Sequence, residues 1–424
     1  MALDDYATGR KKIRDYTKQQ LTNEILNGNF IGLVKCNIEC PKNTFIHVLP
    51  SDDTNKLMFD LLDKTRKVYA TPELKYALEN GYKITHLYNC YCYKKHKGLF
   101  KQYVECFYKM KIENTEHYTE EQCININKSF SEKGLDIEIK SEDTCSNPGM
   151  RGMAKLFLNS LWGKFGTREL MSEYTYVRSV KELWEITSDT KKKLTNFHII
   201  HDNLVEVSYE RNCDITDCAD YVSPITAVFT TSNARVRLAK FLRVLHPSQL
   251  LYADTDSCYF AYNPKNENHI NPETADLPKG VELGDGLGCW ETELSDGVRF
   301  CGCGAKSYAV DTKDPKNETL KVKGLTIDFS NKDKITFEAM AKIAKSINDI
   351  PIEQQQKLFI KKDLKKKEIP FIETNPRFKF NYNKKAKEIT TTNNNTKLLQ
   401  NTVGLKRFVK NNISYPYGYD GEFY

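Results

Sequence analysis

The sequence predicts an α+β fold, because strand-like runs and helical patterns both occur along its 424 residues. One strand is predicted over residues 31–38, and two more flank a short polar break within residues 250–260. Helices are predicted where a capping residue precedes proline, at Asn147-Pro148 and at Ser223-Pro224. The second of these helices leads directly into the predicted hairpin, which is the feature that organises the chain.

Two aspartates, Asp254 and Asp256, occupy the polar break of this hairpin. Side chains two residues apart on extended chain point the same way, so we expect both carboxylates to converge. Two negative charges at such a short distance repel each other unless a cation lies between them. Hard oxygen ligands next to a phosphate suit Mg²⁺. A turn with solvated aspartates is the alternative, and the flanking apolar runs argue against it. An EF-hand loop is excluded because its sixth and twelfth positions would be Tyr259 and Lys265.

Composition limits the classes of protein that this chain can represent. Its length suits two or three domains, and its net charge of +7 is compatible with a polyanionic partner. The 13 cysteines form no zinc-site pattern, so we expect reduced intracellular thiols. No apolar run approaches the roughly 18 residues of a membrane span, and the polar start does not resemble a signal peptide. We expect an intracellular protein with no membrane partner.

The patterns along the chain predict six segments. These are an unassigned N-terminal segment that looks helical (1–30), an α+β unit (31–98), a helical unit (99–166), an inserted β-rich unit (167–220), a strand-turn-strand unit with its helix (221–330) and a basic C-terminal segment (331–424). We also expect a strand over residues 44–50, a helix capped by Thr71 and a polar, hinge-like connection over residues 114–144. The lysine clusters of 361–367 and 384–387 are typical of a solvated face or of a surface that grips phosphates.

One face of the helix that begins at Asn147-Pro148 combines charge with an aromatic ring. Arg151, Lys155, Asn159 and Trp162 recur at steps of four, four and three, which places them on one side of a helix. Lysine and arginine donate to phosphate oxygens, and tryptophan offers a flat surface to a sugar or base. A solvated basic face is the alternative for the two cations alone. The full set predicts a nucleotide-binding face.

A Lys-x-Tyr pair, Lys306 and Tyr308, follows the hairpin in the sequence. If both residues lie on one strand, alternation directs both side chains to the same face. The pair carries little information by itself, and its position after the aspartate hairpin strengthens it.

Three of these motifs, in their chain order, resemble those of family B DNA polymerases. Tyr-x-Asp-Thr-Asp-Ser, starting at Tyr252, resembles the third palm motif, and Lys-x3-Asn-Ser-x-aromatic-Gly, starting at Lys155, resembles the second polymerase motif. The Lys306–Tyr308 pair is similar to the family's Lys-x-Tyr motif. The resemblance covers about residue 31 to the end and is strongest to the protein-primed branch, found in large self-synthesising transposons, linear plasmids and related viruses. It leaves the nucleus or a viral or mobile-element replication site open as the place where the protein acts.

The resemblance implies a right-hand polymerase fold, with a partial palm, helical fingers at 99–166 and a thumb at 331–424, but without the exonuclease domain. It implies two Mg²⁺ ions in an intact site, with Asp254 and Asp256 as metal ligands, Asp256 as the bridging ligand and Asp254 acting more indirectly. Arg151, Lys155, Asn159 and Trp162 would bind the incoming deoxynucleotide. The remaining motif residues would hold the primer end and DNA; these are Tyr252, Thr255, Lys306 and Tyr308. Tyrosine is usual at the position of Trp162. Tryptophan would still exclude a 2′-hydroxyl sterically, but it does not provide the hydrogen bond of the tyrosine.

The family's first palm motif, Asp-x-x-Ser-Leu-Tyr-Pro, does not occur in this sequence. Two-metal phosphoryl transfer needs carboxylates on both sides of the ion pair. We therefore expect a carboxy-terminal part of a DNA-templated DNA polymerase, acting on primer-template DNA and dNTPs, with a terminal priming protein as a further partner. The alternative is a catalytically inactive mobile-element remnant that binds DNA or nucleotide.

Overall fold

The computed structural model describes most of the first 345 residues and parts of the remainder. The described residues are 4–51, 57–167, 172–212, 222–278, 280–284, 286–324, 327, 332–345, 350–353, 358–360, 371–373, 378–383, 388–393, 396–399, 402, 407–411 and 413–423. The predicted lysine clusters of 361–367 and 384–387 lie outside them. Within the described residues, no helix is both long enough and apolar enough to cross a membrane.

Helices and strands are distributed along the whole described chain. The helices are α1 (Lys18–Leu26), α2 (Thr71–Glu79), α3 (Lys101–Glu113), α4 (Glu120–Glu132), α5 (Pro148–Phe165), α6 (Val180–Thr187), α7 (Pro224–Leu242) and α8 (Phe337–Lys345). The strands up to the aspartate hairpin are β1 (Asp5–Ile13), β2 (Gly32–Glu39), β3 (Lys64–Ala70), β4 (Lys83–Lys97), β5 (Glu173–Val177), β6 (Lys192–His201), β7 (Leu204–Arg211), β8 (Leu250–Asp254) and β9 (Ser257–Phe260). The expectation of a mixed fold of helices and strands is confirmed.

The remaining strands follow the aspartate hairpin. They are β10 (Gly297–Gly304), β11 (Ser307–Thr312), β12 (Thr319–Lys321), β13 (Ile350–Glu353), β14 (Leu358–Ile360), β15 (Phe371–Glu373), β16 (Phe378–Asn383), β17 (Glu388–Asn393), β18 (Thr396–Leu399), β19 (Arg407–Lys410) and β20 (Ile413–Pro416). The sheets have the orders β1-β4-β2-β3, β5-β7-β6, β8-β9, β10-β11-β12, β13-β18, β14-β15, β16-β17 and β19-β20.

The chain forms two compact units. The first comprises Met1–Asn37, Thr65–Asn80 and Ile84–Arg235, and the second comprises Ile38–Lys64, Gly81–Lys83 and Val236–Tyr424. This division into two units does not test the boundaries of the six predicted segments, which stay a prediction.

The first unit is built around the sheet β1-β4-β2-β3. Its core includes Tyr6, Ile31 and Phe229, all almost fully buried. Gly32 on β2 lies so close to the next strand that a Cβ atom there would stand 1.9 Å from the carbonyl oxygen of Tyr91. Only glycine fits this approach, which explains a glycine inside a strand.

Three local expectations for the first unit are corrected. The N-terminal segment contains strand β1, paired antiparallel with β4, as well as the expected helix. The hinge-like connection contains α4, which a reciprocal cap between Thr119 and Gln122 begins and which buries Cys123 and Phe130 seven residues apart. Thr71 is not the cap of α2 but its first residue, because its hydroxyl instead bonds the backbone N–H and carbonyl of Gly32.

The second unit contains the aspartate hairpin and the sheet β10-β11-β12. Helix α8 covers this sheet through a buried cluster that includes Cys303, Met340 and Ile343. The strand expected over residues 44–50 is absent from these described residues. Side chains take the place of a neighbouring strand there, since Arg243 donates to the carbonyl of Ile46 and the hydroxyl of Tyr82 accepts from the N–H of Val48. All cysteines that the structure describes are free thiols.

Candidate active site

The aspartate hairpin has the predicted position and a tight two-residue loop. Asp254 pairs with Ser257 across β8 and β9, so Thr255 and Asp256 form the loop. Thr255 has a φ of +50°, and two-residue hairpin loops favour positive φ even though a β-branched residue rarely adopts it. The alternation that predicted two parallel carboxylates therefore ends at Asp254. Asp256 lies in the turn itself, with its N–H 2.6 Å from the carbonyl oxygen of Asp254.

The two carboxylates differ in their surroundings. Asp254 is half-buried, and its side chain accepts hydrogen bonds from the hydroxyl of Thr255 at 3.0 Å and from the ammonium of Lys306 at 2.5 Å. Partial burial acts to raise the pKa of Asp254, but the bonds from Lys306 and Thr255 outweigh it and hold that pKa below its ordinary value. Asp256 is exposed to solvent. In the hairpin, the charge of Asp254 is thus paired with the ammonium of Lys306, whereas the carboxylate of Asp256 is open to solvent.

Lys306 reaches the hairpin from a second turn, between β10 and β11. Its φ is +60°, so it is a turn residue and not a strand residue as expected, while Tyr308 lies on β11. Its N–H donates to the hydroxyl of Tyr252 at 2.9 Å, and that hydroxyl lies 3.5 Å from the carboxylate of Asp254. The hydrogen bond to Asp254 raises the pKa of Lys306. Backbone and side chain of Lys306 therefore both tie this turn to β8.

An aromatic cluster supports this pair of turns. The rings of Tyr252 and Tyr308 lie 4.7 Å apart between centroids, and Tyr259 contacts Tyr308 at 5.2 Å. Phe300 completes the cluster, 5.7 Å from Tyr259. Burial raises the pKa values of both Tyr252 and Tyr259. Tyr259 and Phe300 were not singled out from the sequence, where they belong to no motif.

These residues fit part of a magnesium site. Mg²⁺ is commonly held by one or two carboxylates together with substrate phosphates and water. Asp256 offers an open carboxylate of this kind, and Asp254 is adjacent. Among the described residues, however, no three His, Cys, Asp or Glu side chains are grouped so that they could hold a metal ion. Asp256 is therefore the carboxylate that the hairpin leaves open to an ion, and the two aspartates supply less than a complete two-ion ligand set.

The predicted nucleotide-binding face lies on α5, in the first unit. Asn147 caps the helix by accepting from the N–H of Met150 at 3.1 Å, and of its residues only Ala154 is buried. Lys155 and Asn159 are exposed, and Trp162 keeps 41% of its surface exposed. Arg151 is exposed as well and donates to the hydroxyl of Thr115 at 3.3 Å. An exposed tryptophan in line with a lysine and an amide is available to a ligand.

Helix α5 is held from its other side by α3. The rings of Phe107 and Phe157 stack at 4.7 Å, and the hydroxyl of Tyr103 donates to the carbonyl of Phe157 at 3.0 Å. This packing uses the face opposite Lys155 and Asn159. The predicted residues thus form two groups: a hairpin group of Tyr252, Asp254, Thr255, Asp256, Lys306 and Tyr308 in the second unit, and a helix group of Arg151, Lys155, Asn159 and Trp162 in the first.

Solved structures similar to this chain include phi29 DNA polymerase complexed with single-stranded DNA. The two share 16% identity with a TM-score of 0.50, over 85% of this chain and 52% of the polymerase. The primer-template complex of the same polymerase, a post-translocation binary complex, gives 15% identity and a TM-score of 0.48 over 84% and 52% of the two chains. The chain thus spans about half the length of phi29 polymerase, and at this identity the likeness concerns the fold alone. No curated protein matches the sequence.

A family model provides the stronger finding. The model of type B DNA polymerases, organellar and viral, matches residues 1–129 and 135–244, more than half of the chain. The matched region includes α5 with its whole helix group. The resemblance drawn from the motifs is therefore confirmed at the level of the family, and this chain belongs to the organellar and viral type B DNA polymerases.

Proposed function

We propose that this chain carries out DNA-templated DNA synthesis, transferring nucleotides from dNTPs to a primer 3′-hydroxyl. The observation that carries the proposal is the hairpin group, in which Lys306 bonds Asp254 across more than fifty residues of sequence. Tyr252 and Tyr308 pack together in the same place. Membership of the family and the overall likeness to phi29 polymerase agree with this activity. In the family's terms, the hairpin belongs to a palm, α3 and α5 to fingers, and the basic C-terminal segment to a thumb.

The helix group is proposed to bind the incoming nucleotide. Lys155 and Arg151 would donate to triphosphate oxygens, where charge-assisted hydrogen bonds are strong. Asn159 would fix the sugar and Trp162 would lie against it, because an exposed indole gains from stacking. The bulk of Trp162 would disfavour a 2′-hydroxyl by contact alone.

The hairpin group is proposed to position the primer end and the metal. Asp256 would be the main metal ligand, and Asp254 would act mostly through Lys306. When bound, Mg²⁺ supplies charge neutralisation at the reacting phosphate and a more acidic attacking hydroxyl. Lys306 and Tyr308 would hold the primer end, with Tyr252 and Thr255 fixing the two turns. A second ion needs a further carboxylate, and the family's first palm motif does not occur in these 424 residues.

Primer extension by the full chain, with Mg²⁺ and dNTPs, tests the proposal. Asp256→Asn should reduce extension by about two to three orders of magnitude, the range found when one electrostatic contact to a transition state is removed. Asp276→Asn is the matched control, since Asp276 is an exposed aspartate of the same unit. Lys155→Ala should raise the KM for dNTPs.

The outcomes separate the two candidate functions. Extension that persists in Asp256→Asn at the wild-type rate would refute the assignment of the hairpin. No extension by the wild type, with salt-sensitive binding of primer-template retained, would favour the alternative of an inactive remnant that binds DNA or nucleotide.

A further inference from the structure

Strands β1 and β4 carry exposed cations that take no part in the hairpin or helix groups. We call Lys12, Arg14 and Lys94 the basic strand pair. Lys12 on β1 lies opposite Cys92 on β4 in the antiparallel register, and Lys94 follows Cys92 by two residues on β4. Side chains two apart on a strand share a face, so Lys12 and Lys94 project to the same side. Arg14 follows two residues after Lys12. All three are exposed.

In the part of the chain that the structure describes, several lysines of the first unit are paired with carboxylates, whereas the cations of the basic strand pair are not. Lys75, Lys109 and Lys192 each form an ion pair with a carboxylate of their own helix or turn, with Glu79, Glu113 and Asp189 respectively. On the two strands, Lys95 pairs with Asp5. Within the described residues, Lys12, Arg14 and Lys94 have no ion pair with a carboxylate, and Arg14 bonds the hydroxyl of Tyr16 at 3.5 Å. Their charge is therefore available to a polyanion.

A chain of ring contacts links the Lys94 side of the basic strand pair to one end of α5. Tyr6 stands opposite His96, two residues beyond Lys94, and its ring contacts Phe100 at 5.1 Å. Phe100 in turn contacts Phe165 at 5.5 Å. Phe165 ends α5, one turn after Trp162. Lys94 is therefore the member of the basic strand pair nearest to the tryptophan end of α5, and Lys12 and Arg14 lie further away along the strands.

We propose that the basic strand pair binds the phosphodiester backbone of a DNA strand. The proposal rests on the proposed function for the choice of DNA as polyanion and for the role of Trp162, and it adds a contact that the motifs do not predict. A strand whose base lies near Trp162 would pass its phosphates along β1 and β4. Lysine and arginine held on paired strands keep their positive charges in a fixed row, which suits a repeating anion better than a single phosphate.

The test measures the salt dependence of DNA binding by the full chain. Fluorescence anisotropy with a labelled single-stranded oligonucleotide, and separately with the matching duplex, compares the wild type with the triple variant Lys12→Gln/Arg14→Gln/Lys94→Gln. Each lost phosphate contact lowers the slope of log K against log salt by about 0.7 for a single strand and 0.9 for a duplex. Between about 50 and 200 mM salt, the wild type should therefore lose about 20-fold more affinity than the variant for the single strand, or about 40-fold more for the duplex.

A matched triple variant controls for net charge. Lys75→Gln/Lys109→Gln/Lys192→Gln removes three cations from the same unit, each one already paired with a carboxylate. An equal fall in slope for both triple variants would overturn the proposal, because it would reflect overall charge. The probe whose slope changes identifies the strand as single or double.

Primer extension distinguishes failure of this inference from failure of the proposed function. An unchanged slope in the triple variant, with extension intact in the wild type, would refute the basic strand pair alone. Absence of DNA binding by the wild type even at low salt would refute both. Thermal unfolding checks that the fold stays intact in both triple variants, at the three exposed positions of the basic strand pair and at the three half-buried positions of the control.

Discussion

A buried ion pair joins α2 to α7 in the first unit, and breaking it should be costly. Glu73 has a side chain only 4% exposed, and its carboxylate accepts from Nε and Nη2 of Arg235 at 2.9 and 2.5 Å. Burial raises the pKa of Glu73 although Arg235 acts against it. Removing one partner of a buried pair typically costs about 3–5 kcal/mol, because the other charge stays buried and unpaired. Arg235 keeps 26% exposure, so Glu73→Ala should fall at the lower end, about 3 kcal/mol.

A double-mutant cycle of Glu73→Ala and Arg235→Ala measures the interaction itself. The double variant should be less destabilised than the sum of the singles by about 1–3 kcal/mol, as for residues in direct contact. Urea unfolding of a Trp290→Phe background provides the assay, since Trp162 and Trp184 belong to the unit that contains the pair. Single costs below about 1 kcal/mol, or additivity within about 0.5 kcal/mol, would refute the reasoning.

Three further predictions follow from burial, close approach and capping. Burial and neighbouring cations hold the pKa of His47 well below its ordinary value, so only the unfolded state gains its proton below about pH 6.5. Stability should therefore fall with decreasing pH there, by up to about 1.4 kcal/mol per pH unit, and His47→Phe should reduce this slope in denaturant titrations. Gly32→Ala should destabilise by about 3 kcal/mol or prevent folding, seen as a lower Tm, because its Cβ would meet the backbone of Tyr91. Thr119→Ala should cost about 1 kcal/mol in urea unfolding by removing the cap of α4, with Thr22→Ala, at a half-buried position inside α1, as a control that removes no cap.

The sequence predicted the elements whose signals are local. The aspartate hairpin has apolar runs on both sides of a short polar break, and α5 begins at the expected Asn-Pro pair. Strand β1 was missed because its sequence, with three cations in nine residues, resembles a basic helix. Its identity is decided by pairing with β4, about ninety residues away. Strand propensity depends on such pairing and burial more than on the chain itself.

The same limit explains the errors at single residues. Thr71 precedes a proline and was expected to cap α2, but its hydroxyl serves Gly32 on another strand. Lys306 was expected on a strand, but the turn between β10 and β11 includes it at positive φ. In both cases the residue type and the place in the sequence were informative, while the partner that fixes the side chain lies far away in the chain.

The inequality of the two aspartates is the clearest consequence of such a distant partner. In the sequence Asp254 and Asp256 look equivalent, and alternation predicts that they act together. In the structure the ammonium of Lys306 compensates Asp254, at 30% exposure of that side chain, while Asp256 faces solvent. An approaching cation is therefore attracted mainly by Asp256, and Asp254 contributes by fixing the turn that carries Lys306. The hairpin group thus combines an open carboxylate with an ammonium that is held in position. A metal ion would require the carboxylate, and a nucleic-acid phosphate would require the ammonium.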